Sequence, residues 1–153
     1  MGTPFRVVYD AFLARIEQDE WSLITDIGQL ERDWFELLKM AINRFMFPRV
    51  SLEYIEIDEC FVEELSNQDI QLLATFMRNE WLKRTLSSWE LLKQQYSTKD
   101  FQMLSQANHM DRLREVVKQS NDECKHMTNQ YSRVIEHKPY DWVNNFAGGR
   151  YGK

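Results

Sequence analysis

The sequence predicts a mainly α protein: a helical bundle of about four main helices with an extended C-terminal arm. Three observations carry that expectation. Apolar residues recur at three- and four-residue steps over four long stretches. Helix starts and stops punctuate those stretches, at Thr3-Pro4, Pro48, Ser66 and Pro139. The 153 residues, 43% of them hydrophobic, suit one domain with one core. The division expected is a helical domain over residues 1–138 and an arm over 139–153.

The first helix is announced by "TPFRVVYDAFLARIEQ". Thr3 is a suitable N-cap, and Pro4 a suitable first helical residue, since its missing N–H has no helical partner to lose. Phe5, Val8, Tyr9, Phe12, Leu13 and Ile16 then share one face. The second helix runs over Ile27–Phe45, with Leu30, Trp34, Leu37, Leu38, Ala41, Ile42 and Phe45 on its apolar side. Pro48 stops it.

The next stretch, "VSLEYIEIDECFVEEL", changes period. Leu52, Tyr54 and Ile55, Ile57 partly alternate, "DE" can turn, and "CFVEEL" can return. The pattern fits a short β-hairpin; an irregular extended loop is the alternative. Ser66 and Asp69 then approximate a capping box, with Asp in place of the usual Glu. The third helix follows, with Ile70, Leu73, Met77, Trp81, Trp89, Leu92 and Tyr96 on its buried side. "STKDFQML" breaks it, and Ser105 is the expected cap of the fourth. There Met110, Leu113, Val117, Ser120, Cys124, Met127, Tyr131 and Val134 form a heptad seam. Ser120 and Cys124 make the seam thin. It suits packing within the domain or against a neighbour, and not a free-standing coiled coil.

The formal charge of −5 argues against a dedicated nucleic-acid binder, which carries a basic stripe. Five Trp, six Tyr and nine Phe raise the prospect of assembly, because aromatics are enriched at interfaces. Cys60 and Cys124 lack CxxC spacing and are expected to be buried free thiols. "MGTPFRVVYD" has no apolar signal core, and no run approaches a bilayer span, so an intracellular protein and no membrane partner are expected. Gly2 fits a myristoylation signal only in part, since position 6 is Arg.

A search for chemistry points to no catalytic residue, no metal site and no cofactor. His109, His126 and His137 make no HExxH, and His126 stands two residues from Cys124, on another side of a helix. "AGGRYG" is too near the C-terminus to open the helix that a phosphate loop needs. The acids from Glu56 to Glu64 read as solvation, as do Arg78, Lys83 and Arg84 on the third helix. Trp34, Trp81 and Trp89 stand at core spacing.

The final stretch, "EHKPYDWVNNFAGGRYGK", fits neither a core nor an ordinary tail. Tyr140, Trp142, Phe146 and Tyr151 are large and apolar, yet they follow a helix-ending Pro139 and surround Gly148-Gly149. Segments that stay disordered are poor in aromatics.

"TPFRVVYDAFLARI", "INRFMFPR", "LATFMRNEWL" and "SQANHMDRL" resemble the small neck proteins of tailed bacteriophages, the head–tail connectors or adaptors. The resemblance extends to the last helix and leaves the arm unmatched. It implies a helical virion protein that is assembled in the host cytoplasm and forms a twelvefold ring beneath the portal. It implies neighbouring copies and a tail-side neck or tail protein as partners. It also implies C-terminal segments that reach into portal grooves, which makes Tyr140, Trp142, Phe146, Arg150 and Tyr151 the portal-binding residues. Packaged DNA would pass through such a ring without specific binding, and a net negative chain suits sliding. Two other readings compete: a tail-completion or stopper protein of the neck, and a small acidic helical regulator that inhibits a host protein.

Overall fold

A computed structural model describes residues 2–16, 26–95 and 104–136. Their order is helix α1 (Phe5–Leu13), helix α2 (Ile27–Arg44), strands β1 (Tyr54–Ile55) and β2 (Cys60–Phe61), helix α3 (Asn67–Gln95) and helix α4 (Leu104–Glu136). The chain is mainly helical with one small antiparallel sheet, as its periodicity predicts. Helix α3 is the centre of the bundle, and α1, α2 and α4 all pack against it.

The first helix buries Phe5, Val8, Tyr9 and Phe12 as expected. Its start differs from the expectation. Pro4, and not Thr3, is the N-cap residue, and no side chain caps the helix. Thr3 instead pairs with the hairpin: its N–H donates to the Glu63 carbonyl at 3.1 Å and its carbonyl accepts from Phe61 N–H at 2.8 Å. The Thr3 hydroxyl accepts from Leu65 N–H at 2.8 Å. The first orphan N–H of α1, at Phe5, donates to the Glu59 carbonyl at 2.8 Å. A hairpin carbonyl therefore does what a capping side chain does elsewhere.

Helix α2 opens at Asp26, whose carboxylate accepts from Gly28 N–H at 3.0 Å. It buries Leu37, Leu38 and Ala41 and leaves Leu30 and Trp34 half-buried. The hairpin pairs Tyr54 with Phe61 and Ile55 with Cys60 around a turn at Glu56–Glu59. Two-stranded hairpins are marginal alone. This one is held by backbone hydrogen bonds to Thr3 and by an aromatic knot. The Phe5 ring lies 5.4 Å from Phe35, 5.7 Å from Tyr54 and 5.3 Å from Phe61. Cys60 is half-buried on this sheet, which corrects the expectation of a buried thiol; Cys124 is buried, and both are free.

The capping box at the start of α3 is present. Asp69 N–H donates to Ser66 Oγ at 3.2 Å, and Ser66 N–H donates to the Asp69 carboxylate at 3.0 Å. Leu73 and Met77 are buried and Ile70, Trp81 and Trp89 half-buried, on the predicted side. Leu72, Ala74, Thr75, Phe76 and Asn79 are buried too, because a central helix faces neighbours all round. The side chain of Leu92, and Tyr96, lie outside the described residues.

Helix α4 begins at Leu104, so Ser105 lies inside its first turn and is not the cap, which must precede the helix. Its seam faces α3: Met110, Ser120, Cys124 and Tyr131 are buried, with Leu113, Val117 and Met127 half-buried. The two weak positions are matched by α3. Asn79 Nδ2 donates to Ser120 Oγ at 3.0 Å, and the Cys124 thiol reaches the Thr75 carbonyl at 3.8 Å. Burial pushes that thiol's pKa up.

Candidate interaction surfaces

The residues read as anchors, Tyr140, Trp142, Phe146, Arg150 and Tyr151, lie outside the described residues, as does the expected division near residue 138. What the structure describes is the helix that leads into them. Near its C-terminal end, Tyr131 is 6% exposed and Asp69 1% exposed. The Tyr131 hydroxyl donates to Asp69 Oδ1 and accepts from Arg49 N–H at 2.9 Å. Arg49 Nη2 donates to the Tyr131 carbonyl at 2.8 Å, and its guanidinium lies 4.1 Å from the centre of the ring. One tyrosine thus joins α4, the start of α3 and the segment after α2. Burial, then the bond to Asp69, pushes its phenol up to about 12. Sequence spacing assigns Tyr131 to the seam; the polar clamp around it has no local signal, since its members come from positions 49, 69 and 131.

Beside this clamp, α2 ends in "FMFPR". Phe45 turns inward, with its ring 5.1 Å from Tyr131 and 5.9 Å from Phe76. Met46 and Phe47 turn outward and are 77% and 70% exposed. They stand at a cleft of about 550 Å³ whose walls include Arg44, Phe76, Lys125, Asn129 and Tyr131. Two adjacent large apolar side chains exposed at a concavity make this the candidate contact surface of the helical body. A smaller cleft of about 460 Å³ lies between Gln68, Gln71, Met127, Gln130 and Arg133.

The hairpin is a second exposed surface. Ile57, in its turn, is 94% exposed, and Ile55 and Val62 are exposed beside it. Glu53, Glu56, Asp58, Glu59, Glu63 and Glu64 surround them and are also exposed. None of these six carboxylates is within ion-pair distance of a cation among the described residues.

The basic side of α3 stays partly solvated, as its sequence suggests, with Arg84 exposed, and its cations are also ion-paired. Arg78 pairs with Glu123 at 3.1 Å, Lys83 with Glu80 at 2.9 Å, and Arg84 with Asp33 through two bonds of 2.6 and 2.8 Å. The central helix has neighbours on both sides, so two of its three cations meet carboxylates of α2 and α4. Arg44 from α2 joins the same system, donating to Asn79 Oδ1 and to Glu80 at 3.0 Å.

Among the described residues, no group of three His, Cys, Asp or Glu side chains converges to hold a metal ion, and no helix is long and apolar enough to cross a membrane. His109 and His126 are exposed, and His137 lies outside the described residues. Compared with models of known protein families, with curated proteins and with solved structures, the chain matches none.

Proposed function

We propose that this chain is a structural neck protein of a tailed bacteriophage, a head–tail adaptor whose copies form a ring under the portal, join capsid to tail and line the DNA channel. The observation that carries the reading is the pair Met46 and Phe47, adjacent in sequence and 77% and 70% exposed at the mouth of a mostly apolar cleft. A chain with that core gains nothing from apolar side chains in water unless a partner covers them. The resemblance of "TPFRVVYDAFLARI", "INRFMFPR", "LATFMRNEWL" and "SQANHMDRL" to phage neck proteins names the kind of partner. Exposed Met46 and Phe47 belong to the second of those stretches.

In this role the helical body is the ring segment and residues 139–153 are the arm that grips the portal. Tyr140, Trp142, Phe146 and Tyr151 supply the apolar anchors and Arg150 a charged contact. Ordering such an arm costs conformational entropy, and a few aromatic anchors offset it. The clamp of Tyr131 on Asp69 and Arg49 ties the last part of α4 to the start of α3 and to the segment after α2. The test is to mix the chain with the portal protein of the same virus and image the complex by cryo-microscopy. A ring of this chain on the portal is the expected result. A chain that ignores the portal but binds a host protein would favour the regulatory reading. One that joins only after another neck protein has docked would favour the stopper.

A further inference from the structure

The hairpin and the Met46–Phe47 cleft are opposites in charge and alike in greasiness. Between Arg49 and Arg78 the chain has no Lys or Arg, and six exposed carboxylates frame Ile55, Ile57 and Val62. The cleft is lined by Arg44 and Lys125 and by no carboxylate. Arg44 is matched by Glu80, but Lys125 is exposed and only loosely paired with Asp122, at 3.5 Å. Arg49 adds a third cation on the ring of Tyr131, a wall of the cleft, and no carboxylate among the described residues forms an ion pair with it. The apolar parts are Phe45, Phe76, Met46 and Phe47. At about 550 Å³ the cleft has room for several side chains. The two surfaces share no residue, so one copy can use both at once.

We propose that the hairpin of one copy, led by Ile57, seats in the Met46–Phe47 cleft of the next. The contact is heterologous, so it leaves a free hairpin at one end of a pair and a free cleft at the other. Such a contact repeats, and closes into a ring where its rotation allows. The inference deepens the adaptor reading and rests on it for closure into a ring, while the contact itself needs no portal. Charge selects the occupant. The chain's own arm, residues 139–153, carries Arg150 and Lys153 against Asp141 and lacks the hairpin's run of carboxylates, so a cleft lined by cations favours the hairpin over it. Steering by exposed charges also makes the association salt-sensitive.

The test is sedimentation of the full chain without portal, at rising protein concentration and at low and high salt. Two variants, Ile57→Asp and Phe47→Asp, each spoil one surface at an exposed position; circular dichroism checks that both stay folded. Wild type is expected to gain mass with concentration and lose it with salt. Each variant alone should associate at least about tenfold more weakly, since removing a central anchor typically has that effect. Mixed in equal amounts, the two should form a heterodimer and nothing larger, because Ile57→Asp keeps its cleft, Phe47→Asp keeps its hairpin, and one intact contact remains. Four results would overturn the proposal: a wild type that is monomeric at every concentration, variants that associate like wild type, a mixture that stays monomeric, or loss of association on truncation after Pro139 with both surfaces intact. The last would make the arm the occupant. Portal binding is scored separately, so failure of this contact leaves the adaptor reading standing, and failure to bind portal leaves the heterodimer result standing.

Discussion

Tyr131 shows how much one side chain can carry in a small bundle. Its hydroxyl satisfies a buried carboxylate and a backbone N–H, and its ring supports a guanidinium. Tyr131→Phe keeps the ring and removes both hydrogen bonds. We expect a loss of about 1–3 kcal/mol in urea unfolding, the usual cost of stranding buried polar groups. The phenol also gives the protein an alkaline limit. Its folded-state pKa is raised from 10.0 to about 12, so above pH 10 the unfolded chain releases a proton that the folded chain keeps. Stability contributed by the neutral phenol is complete below pH 10 and is lost as pH rises towards 12. Urea titrations from pH 9 to 12 should show that fall in wild type and a shallower one in Tyr131→Phe; Tyr9, also raised by burial, supplies what remains. At Gly2 the constraint is space. A Cβ there would meet the Phe61 carbonyl oxygen at 1.6 Å, and backbone cannot swing aside as a side chain can. Gly2→Ala should displace the Thr3 backbone from the hairpin, lower stability by about 1–3 kcal/mol, as overpacking does, and speed hydrogen exchange at Phe61 N–H.

At the scale of elements, α3 organises the molecule, and its N-terminus is the best-specified helix end. Ser66→Ala removes one half of the capping box and should lower stability by about 1 kcal/mol, measured by thermal or urea unfolding. Asp69→Ala should cost more than Ser66→Ala, since Asp69 also receives the Tyr131 hydroxyl in the core. The capping box is legible because its two residues lie three apart. The polar node farther along α3 is not. Asn79 is buried between Arg44 of α2 and Ser120 of α4, at separations of 35 and 41 residues. A heptad count marks Ser120 as a weak core position and gives no sign of the amide that meets it.

At the scale of the whole molecule, one apolar core ties all four helices together. The four-helix core joins Phe5, Phe12, Leu37, Leu38, Leu73, Met77, Cys124 and Tyr131 in one cluster. Truncation after Pro139 should therefore leave the circular dichroism and the unfolding transition nearly unchanged, while portal docking is lost. Trp142→Ala with Phe146→Ala should weaken each arm's docking roughly a thousandfold, since each buried anchor is typically worth about 2 kcal/mol or more, before repetition around a ring recovers part of it. Pull-down on portal measures both. If the truncated chain unfolds, the aromatics serve its own core. Cys60 and Cys124 are free, so a reductant should leave the melting temperature unchanged.

The sequence by itself determined the helices, the capping box and the seam of α4, because their signals repeat every three or four residues and helical hydrogen bonds are local. It also bounded the hairpin, through Tyr54, Ile55 and the turn of acids that follows. Only the tertiary structure decided that the hairpin pairs its backbone with Thr3 and caps α1 with the Glu59 carbonyl. It alone supplied the carboxylates that pair with Arg78, Lys83 and Arg84 on their partly solvated side, and set Phe45 inward but Met46 and Phe47 outward. Each of these outcomes depends on which groups meet across separations of tens of residues, or on which side of a helix end has a neighbour. Periodicity fixes the direction of a side chain around its own axis; what stands in that direction is fixed by packing.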